Sequence, residues 1–297
     1  MNLYKHRESN IRKTWFLFAG FLIFVVGVGW IFSQVYGNPS ILIFAVVFSL
    51  VMNFFSYWYS DKIVLKMSGA HPVEKKQAPE LYNVVENLAI TAGLPTPKIY
   101  LVNDQAPNAF ATGRDPKHAV VAVTTGLLNV LDRSELEGVI AHELGHIGNR
   151  DILLSTAVVV LVGFVALLSD MFMRSMFWGR GFGGDRDNRS SGAIMIIGVI
   201  LAIVAPISAV LIQLAISRKR EFLADTSGSM LTRYPEGLAL ALEKIGKYSA
   251  PMRSASNATA HLWISDPHGK KQNMMSKLFM THPPAEERIA RLRGLKV

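Results

Sequence analysis

The sequence predicts a mainly α membrane protein that carries an α+β domain written in two pieces along the chain. Three observations lead there. Half of the 297 residues are hydrophobic and only 18% are charged, against about 25% charged in an average soluble domain. The apolar residues gather into four uncharged runs, at 15–32, 41–59, 152–169 and 192–216, and a hydrocarbon layer about 30 Å thick takes roughly 20 residues of helix. The polar sequence falls mainly into two blocks, which together make a comfortable size for one domain. The expected order is a tail and membrane hairpin over 1–60, the first part of the domain over 61–151, a second hairpin over 152–216, and the second part of the domain over 217–297.

The first run follows Lys5, Arg7, Arg12 and Lys13, as a secretory signal would, but it exceeds the usual signal core of roughly 7 to 15 residues and no small-residue cleavage site follows. It reads as a retained anchor. The turn Gly37-Asn38-Pro39 returns the second run to the side of the basic tail, which basic residues mark as cytoplasmic. By parity 61–151 is cytoplasmic too, and Arg218, Lys219 and Arg220 mark the exit of the fourth run on that side. The connection 170–191 carries Arg174, Arg180, Arg186 and Arg189, so runs three and four either cross fully or form a hairpin that does not. A buried core helix is the alternative reading of run three. A net charge of +9 suits either nucleic acid or anionic lipid headgroups, and four apolar runs select the lipid bilayer and exclude nucleic acid as the partner. The chain has no Cys, which excludes disulfides and thiolate metal sites.

Within the first block, Leu81, Val84, Val85 and Leu88 recur at helical spacing between Pro79 and Gly93. Segments 98–102, 108–112 and 119–124 read as short strands of a small sheet. Ser134 with Glu137 forms a capping box that opens the next helix. In the second block the fourth run is expected to continue helically through Glu221 and Asp225, followed by a helix at 236–248. Segment 249–280 reads as a long irregular stretch and a candidate lid. Pro283 opens a terminal helix with acids at its start and Arg291, Arg293 and Lys296 near its end, as the helix dipole favours.

The helix that follows Ser134 contains Ala141-His142-Glu143-Leu144-Gly145-His146, an HExxH pattern. Residues i and i+4 share a helical face, so both imidazoles can meet one zinc ion at roughly 2.0 to 2.1 Å. Glu143 lies one position round the helix and can act as general base toward a water whose pKa zinc lowers from about 15.7 toward 7. The reaction implied is peptide hydrolysis in a zincin-like domain whose small sheet lies beside the HExxH helix. Glu221 is the candidate third ligand, and Asp225, four residues on, can accept the outer N–H of a ligating histidine. His146 lies only six positions before run three, and Glu221 five positions after run four. These are about 9 Å and 7.5 Å of helix, so the site is expected close to the membrane surface, and substrates anchored in the bilayer would reach it most readily.

The segments HELGHIGNRD at 142–151, SRKREFLAD at 217–225, PNAFATG at 107–113 and THPPAEERIARL at 281–292, in this order and with four apolar runs, closely resemble the HtpX family of bacterial membrane zinc proteases, relatives of the eukaryotic CAAX prenyl proteases. The resemblance spans nearly the whole chain. It implies one zinc ion on His142, His146 and Glu221, with Glu143 as general base, on the cytoplasmic side of the bacterial inner membrane. It also implies cleavage of misfolded or damaged membrane proteins, or unfolded polypeptides, as quality control in the stress response.

Two further features have paired readings. His282 is either a helix-capping or solvent histidine or, since the resemblance brings its segment toward the site, a donor to the developing oxyanion; Arg288 could pair with Asp225 or another acid and hold that segment. Asn108, Ala109, Phe110, Ala111 and Thr112 form either an ordinary edge strand or an exposed edge along which a substrate pairs its backbone. His6, His71, His118, His261 and His268 lack metal-like spacing and read as surface residues. The rival to an enzyme is a membrane scaffold or chaperone-like protein with a structural zinc, which would need four protein ligands and no open position.

Overall fold

The computed structural model describes residues 3–164, 217–256, 258–269 and 283–295. Helices α1 (Leu3–Tyr36) and α2 (Pro39–Trp58) are both long and apolar enough to cross a membrane. Their connection follows from local chemistry: Gly37 adopts φ +61°, the Asn38 side chain accepts from the Ser40 amide, and Pro39 occupies the first turn, where its missing N–H leaves nothing unpaired.

After α3 (Ser60–Met67) the chain lays down β1 (Ala70–Pro72), α4 (Pro79–Thr91), β2 (Lys98–Val102), β3 (Ala109–Thr112) and β4 (Val120–Thr124). The sheet order is β1-β2-β4-β3, with β2 and β4 parallel and the other pairs antiparallel. The three anticipated strands are present; β1, three residues ending in proline, carries too little pattern to be read from sequence. Side-chain alternation splits the sheet between two cores. Ile99, Ala109, Ala111, Val121 and Val123 face α4, α6 (Arg133–Gly148) and α9 (Pro235–Lys247). Val102, Phe110, Val120 and Ala122 face α1, α3 and α7 (Asp151–Phe164). A short α5 (Thr125–Val130) links β4 to α6.

Several sequence expectations need correction. The capping box of α6 is Asp132 with Glu135, not Ser134 with Glu137: Asp132 Oδ1 accepts from the Glu135 amide at 3.0 Å and Glu135 Oε2 accepts from the Asp132 amide at 2.9 Å. Two acidic registers overlap here, and the carboxylate cap won; Ser134 merely donates to Asp132. Nor does α6 run straight into the third apolar run. It ends at Gly148, Arg150 takes a left-handed φ of +61°, and α7 leaves at 84°. Leu154, Ala157, Val158 and Leu161 are buried against the sheet, so the described part of that run is a core helix. Among the described residues two helices therefore have spanning length, giving two spans, or three if bent α6 and α7 together make one; the fourth run lies outside the described residues. Helix α8 (Arg218–Thr232) starts afresh after extended Ser217 instead of continuing a helix.

The candidate lid also differs. In its described part Trp263 is wholly buried and meets Phe110 edge-on at 4.7 Å, and the Met252 amide donates to Pro267 O at 2.8 Å. His261, expected at the surface, is buried with Nε2 3.0 Å from Ser155 O. The terminal helix α10 (Ala285–Arg293) carries Glu286 and Glu287 in its first turn and Arg291 and Arg293 in its last, as anticipated.

Close approach of α6 to its neighbours depends on glycine. A Cβ on Gly228 of α8 would lie 2.8 Å from the His142 backbone nitrogen, and one on Gly138 would lie 2.6 Å from the Leu238 nitrogen in α9. Gly228→Ala is expected to destabilise the protein by about 1–3 kcal/mol, the cost of overpacking a tight core. Gly246→Ala, whose Cβ would meet nothing within 4 Å on an exposed helix face, should instead stabilise by up to about 1 kcal/mol. Denaturant melts of the detergent-solubilised variants measure both.

Candidate metal centre

Helix α6 presents His142 and His146 one turn apart, and their Nε2 atoms lie 3.1 Å from each other. Helix α8 crosses beside them with Glu221 in its first turn, placing Oε2 3.8 Å from His142 Nε2 and Oε1 3.6 Å from His146 Nε2. Ligand-type atoms of the three side chains all fall within 4.8 Å of one another. Besides Gly228, Gly145 permits this approach, since a Cβ there would sit 3.2 Å from Ala224 O. Glu143 is buried on the same helix, near enough to His146 and Arg288 to favour their charged forms.

The outer nitrogens of both imidazoles meet carboxylates. His142 Nδ1 is 2.9 Å from Asp225 Oδ1, and His146 Nδ1 is 3.1 Å from Asp151 Oδ2. Each pairing assigns a proton to Nδ1 and so reserves Nε2 as the atom that would face a metal. Asp225 is gripped in turn by wholly buried Arg288, through Nη2 at 2.6 Å and Nε at 2.9 Å, while Arg288 Nη1 donates to Ile264 O. Arg288 thus ties the terminal helix and the Trp263 segment to the centre, as the sequence suggested. Asp151 accepts from the Asn10 side chain on α1, and Asn10 also donates to Asn149 O at 3.1 Å. Sequence reasoning missed Asn10 and Asp151: the partners of Asn10 lie about 140 positions away in the chain, and nothing local marks them.

Electrostatics separate the two histidines. Burial, helped by the Arg288 charge, pushes His142 down to about 4 against the pull of Asp225. Burial also opposes protonation of His146, but Asp151, Glu221 and Glu143 outweigh it and raise its pKa to about 9. Burial would raise Asp225; Arg288 and His142 overcome that and hold it at about 2.

The donor set fits zinc. Tetrahedral ligation at about 2.05 Å separates two nitrogens by about 3.3 Å, close to the 3.1 Å found here. Among the described residues, four buried carboxylates (Glu143, Asp151, Glu221 and Asp225) stand near two buried guanidinium groups, Arg220 and Arg288, and the charged His146 ring. A divalent cation makes up that shortfall of positive charge, which buried ions require.

The edge-strand candidates lie beside the HExxH helix, where Ala109 and Ala111 share a core with Ile140, Ala141 and Leu144 of α6. β3 is the outer strand of the sheet, but all its residues are buried, so the expected exposure is absent. The Ile264 amide donates to Ala109 O at 2.9 Å, and the Asn108 side chain clasps Ser265 through Nδ2 to O at 3.0 Å and Oδ1 from N at 3.2 Å. His282 lies outside the described residues.

An HExxH helix and an acidic helix converging on a cation-sized centre, beside helices of membrane length, define a membrane-anchored metallopeptidase. The sequence model of peptidase family M48 matches residues 75–296. A "Protease HtpX homolog" of Caldanaerobacter subterraneus subsp. tengcongensis is 50% identical over 299 residues, covering 99% of this chain and 98% of its own. One from Thermococcus sibiricus is 50% identical over 285 residues, covering 95% and 96% respectively. The crystal structure of S. mikatae Ste24p shares the fold, with a TM-score of 0.51 at 18% identity over 97% of this chain and 67% of that one. The chain belongs to peptidase family M48, in its HtpX group, and is a zinc metallopeptidase.

Two outcomes are expected. Asp151→Asn, which removes the acceptor that orients His146, should weaken zinc binding about 10–100-fold, with Asn10→Ala acting in the same direction, both read by chelator competition. Because metal-free His146 holds its proton up to about pH 9 while His142 is already neutral above about 4, loading must displace one proton. Apparent zinc affinity should then rise about tenfold per pH unit between pH 6 and 8, measurable by calorimetry in buffers of different ionisation heat.

Proposed function

We propose that the protein is a membrane-embedded endopeptidase in which His142, His146 and Glu221 hold one zinc ion and Glu143 is the general base. It would cleave misfolded or damaged membrane proteins and unfolded polypeptides on the cytoplasmic side of the bacterial inner membrane. The observation that carries the reading is the convergence of two α6 imidazoles and an α8 carboxylate within 4.8 Å. Among the described residues that group has three members, which supports the open, catalytic type of site over a closed structural one. The two polar blocks, 61–151 and 217–297, act as one catalytic unit in this reading, supported by the packing of α6 against α8 and α9.

When bound, zinc supplies Lewis-acid chemistry that polarises the scissile carbonyl and makes water acidic enough to lose a proton near neutral pH. The Glu143 carboxylate takes that proton and delivers it to the leaving amine nitrogen. Asp225 and Asp151 keep the imidazoles in the tautomer that presents Nε2, and Arg288 fixes Asp225. An extended substrate would pair with β3, and His282 would approach the oxyanion. Cytoplasmic orientation rests on Lys5, Arg7, Arg12 and Lys13 before the first span.

Glu143→Gln should lower cleavage of an unfolded substrate about 10²–10⁴-fold while zinc content stays unchanged, and chelation should abolish cleavage until zinc returns. Cleavage that persists after complete metal removal would reject the mechanism. A membrane-tethered peptide should be cut faster than the same peptide free in solution; equal rates would reject the bilayer-proximal substrate reading.

A further inference from the structure

A cavity of about 450 Å³ lies where the end of α2 meets the start of β2 and the loop before β4. Its walls come from separate parts of the chain: Trp58 and Tyr59 at the end of α2, Lys62 on α3, Lys98 opening β2, and Arg114 and Lys117 between β3 and β4. Asp61 is the one acid among the lining residues. Nearby Asp115 is engaged by the His118 ring at 2.9 Å and by Arg114 at 3.6 Å. Lys62, Lys98 and Lys117 have no acid within ion-pair distance among the described residues. Gathering four cations round one cavity is unfavourable by itself, and a bound anion relieves it.

Two of the cations are also held in place and at a defined depth. The Arg114 guanidinium lies 4.6 Å from the Trp58 ring centre and the Lys62 ammonium 5.2 Å from that of Tyr59, contacts that orient positive charge over aromatic faces. Trp58 and Tyr59 end an apolar helix of spanning length, the position at which aromatic residues mark the membrane–water interface. From the cavity an apolar track runs back along α2: Val47, Leu50, Val51 and Phe54 recur at helical spacing and are all exposed. Free phosphate would use the cations alone. Cations at headgroup depth continuous with an apolar track fit an amphiphile with a phosphate head.

We propose that this cavity binds the phosphate headgroup of an anionic membrane lipid, with its acyl chains laid along the exposed face of α2. The site depends on α2 crossing the bilayer and is independent of the peptidase reaction.

Native mass spectrometry of the full chain in neutral detergent tests it, titrating phosphatidylglycerol, phosphatidylcholine and inorganic phosphate. Phosphatidylglycerol should be retained about tenfold or more over phosphatidylcholine, since each basic residue at the surface contributes roughly fivefold. Lys98→Glu with Lys117→Glu should remove that preference. Lys76→Glu with Lys247→Glu makes the same charge change at exposed positions away from the cavity and should preserve it. Lys62→Ala alone should cost about fivefold, a milder change on an exposed side chain that does not depend on the double variant folding. Equal loss in the two double variants would overturn the site in favour of diffuse charge attraction. Displacement of the lipid by equimolar inorganic phosphate would overturn the lipid as ligand in favour of free phosphate.

Discussion

The structure turns on one steric condition: α6 and α8 must lie close enough for a carboxylate on one to meet two imidazoles on the other. A glutamate side chain is short, and the ligand atoms must come within a few ångströms. Helix axes separated by ordinary side chains would not allow it. Gly145 and Gly228 remove the Cβ atoms that would hold the backbones apart, and Gly138 does the same toward α9. The seam sets position without regard to chemistry, and the chemistry then occupies it.

Such packing takes several charged groups out of water together, which is costly unless each is answered. The answers are layered. His142 leans on Asp225, Asp225 on Arg288, and Arg288 on the Ile264 carbonyl of a segment far along the chain. His146 leans on Asp151, and Asp151 on Asn10 of the first membrane helix. The anchor is therefore part of the scaffold of the centre, and the sheet makes the same point. One face of it packs on α4, α6 and α9, the other on α1, α3 and α7. Membrane and catalytic parts share a core here instead of meeting at a linker.

What could be read from the sequence is what repeats locally. HExxH places two imidazoles on a face because helices have a fixed period, and the run of 119–124, rich in Val and Thr, marks a strand. ExxxD at Glu221 and Asp225 gained meaning only from the histidines elsewhere. Contacts that cross the chain left no such mark: Asn10 with Asp151, Asn108 with Ser265, and Trp263 under Phe110 join residues well over a hundred positions apart. The third apolar run was open to two readings for a related reason. Burial in a protein core and burial in lipid select the same side chains, and only the left-handed turn at Arg150 sends α7 under the sheet.

The cover over β3 constrains how a polypeptide could pair with that strand, as proposed. Asn108 O accepts from the Thr124 amide at 2.9 Å, so antiparallel alternation points the backbone of Ala109 and Ala111 outward. Covering such an edge guards against pairing between copies of the chain. Replacing the Ile264 bond at Ala109 with a substrate bond is an exchange of like for like, since a net hydrogen bond is worth only about 0.5–1.5 kcal/mol. Dislodging Trp263 is different: exposing a buried side chain of that size costs upward of about 3 kcal/mol, and the Asn108 clasp on Ser265 would break with it. The cheaper route leaves Trp263 seated and exchanges the Ile264 bond alone.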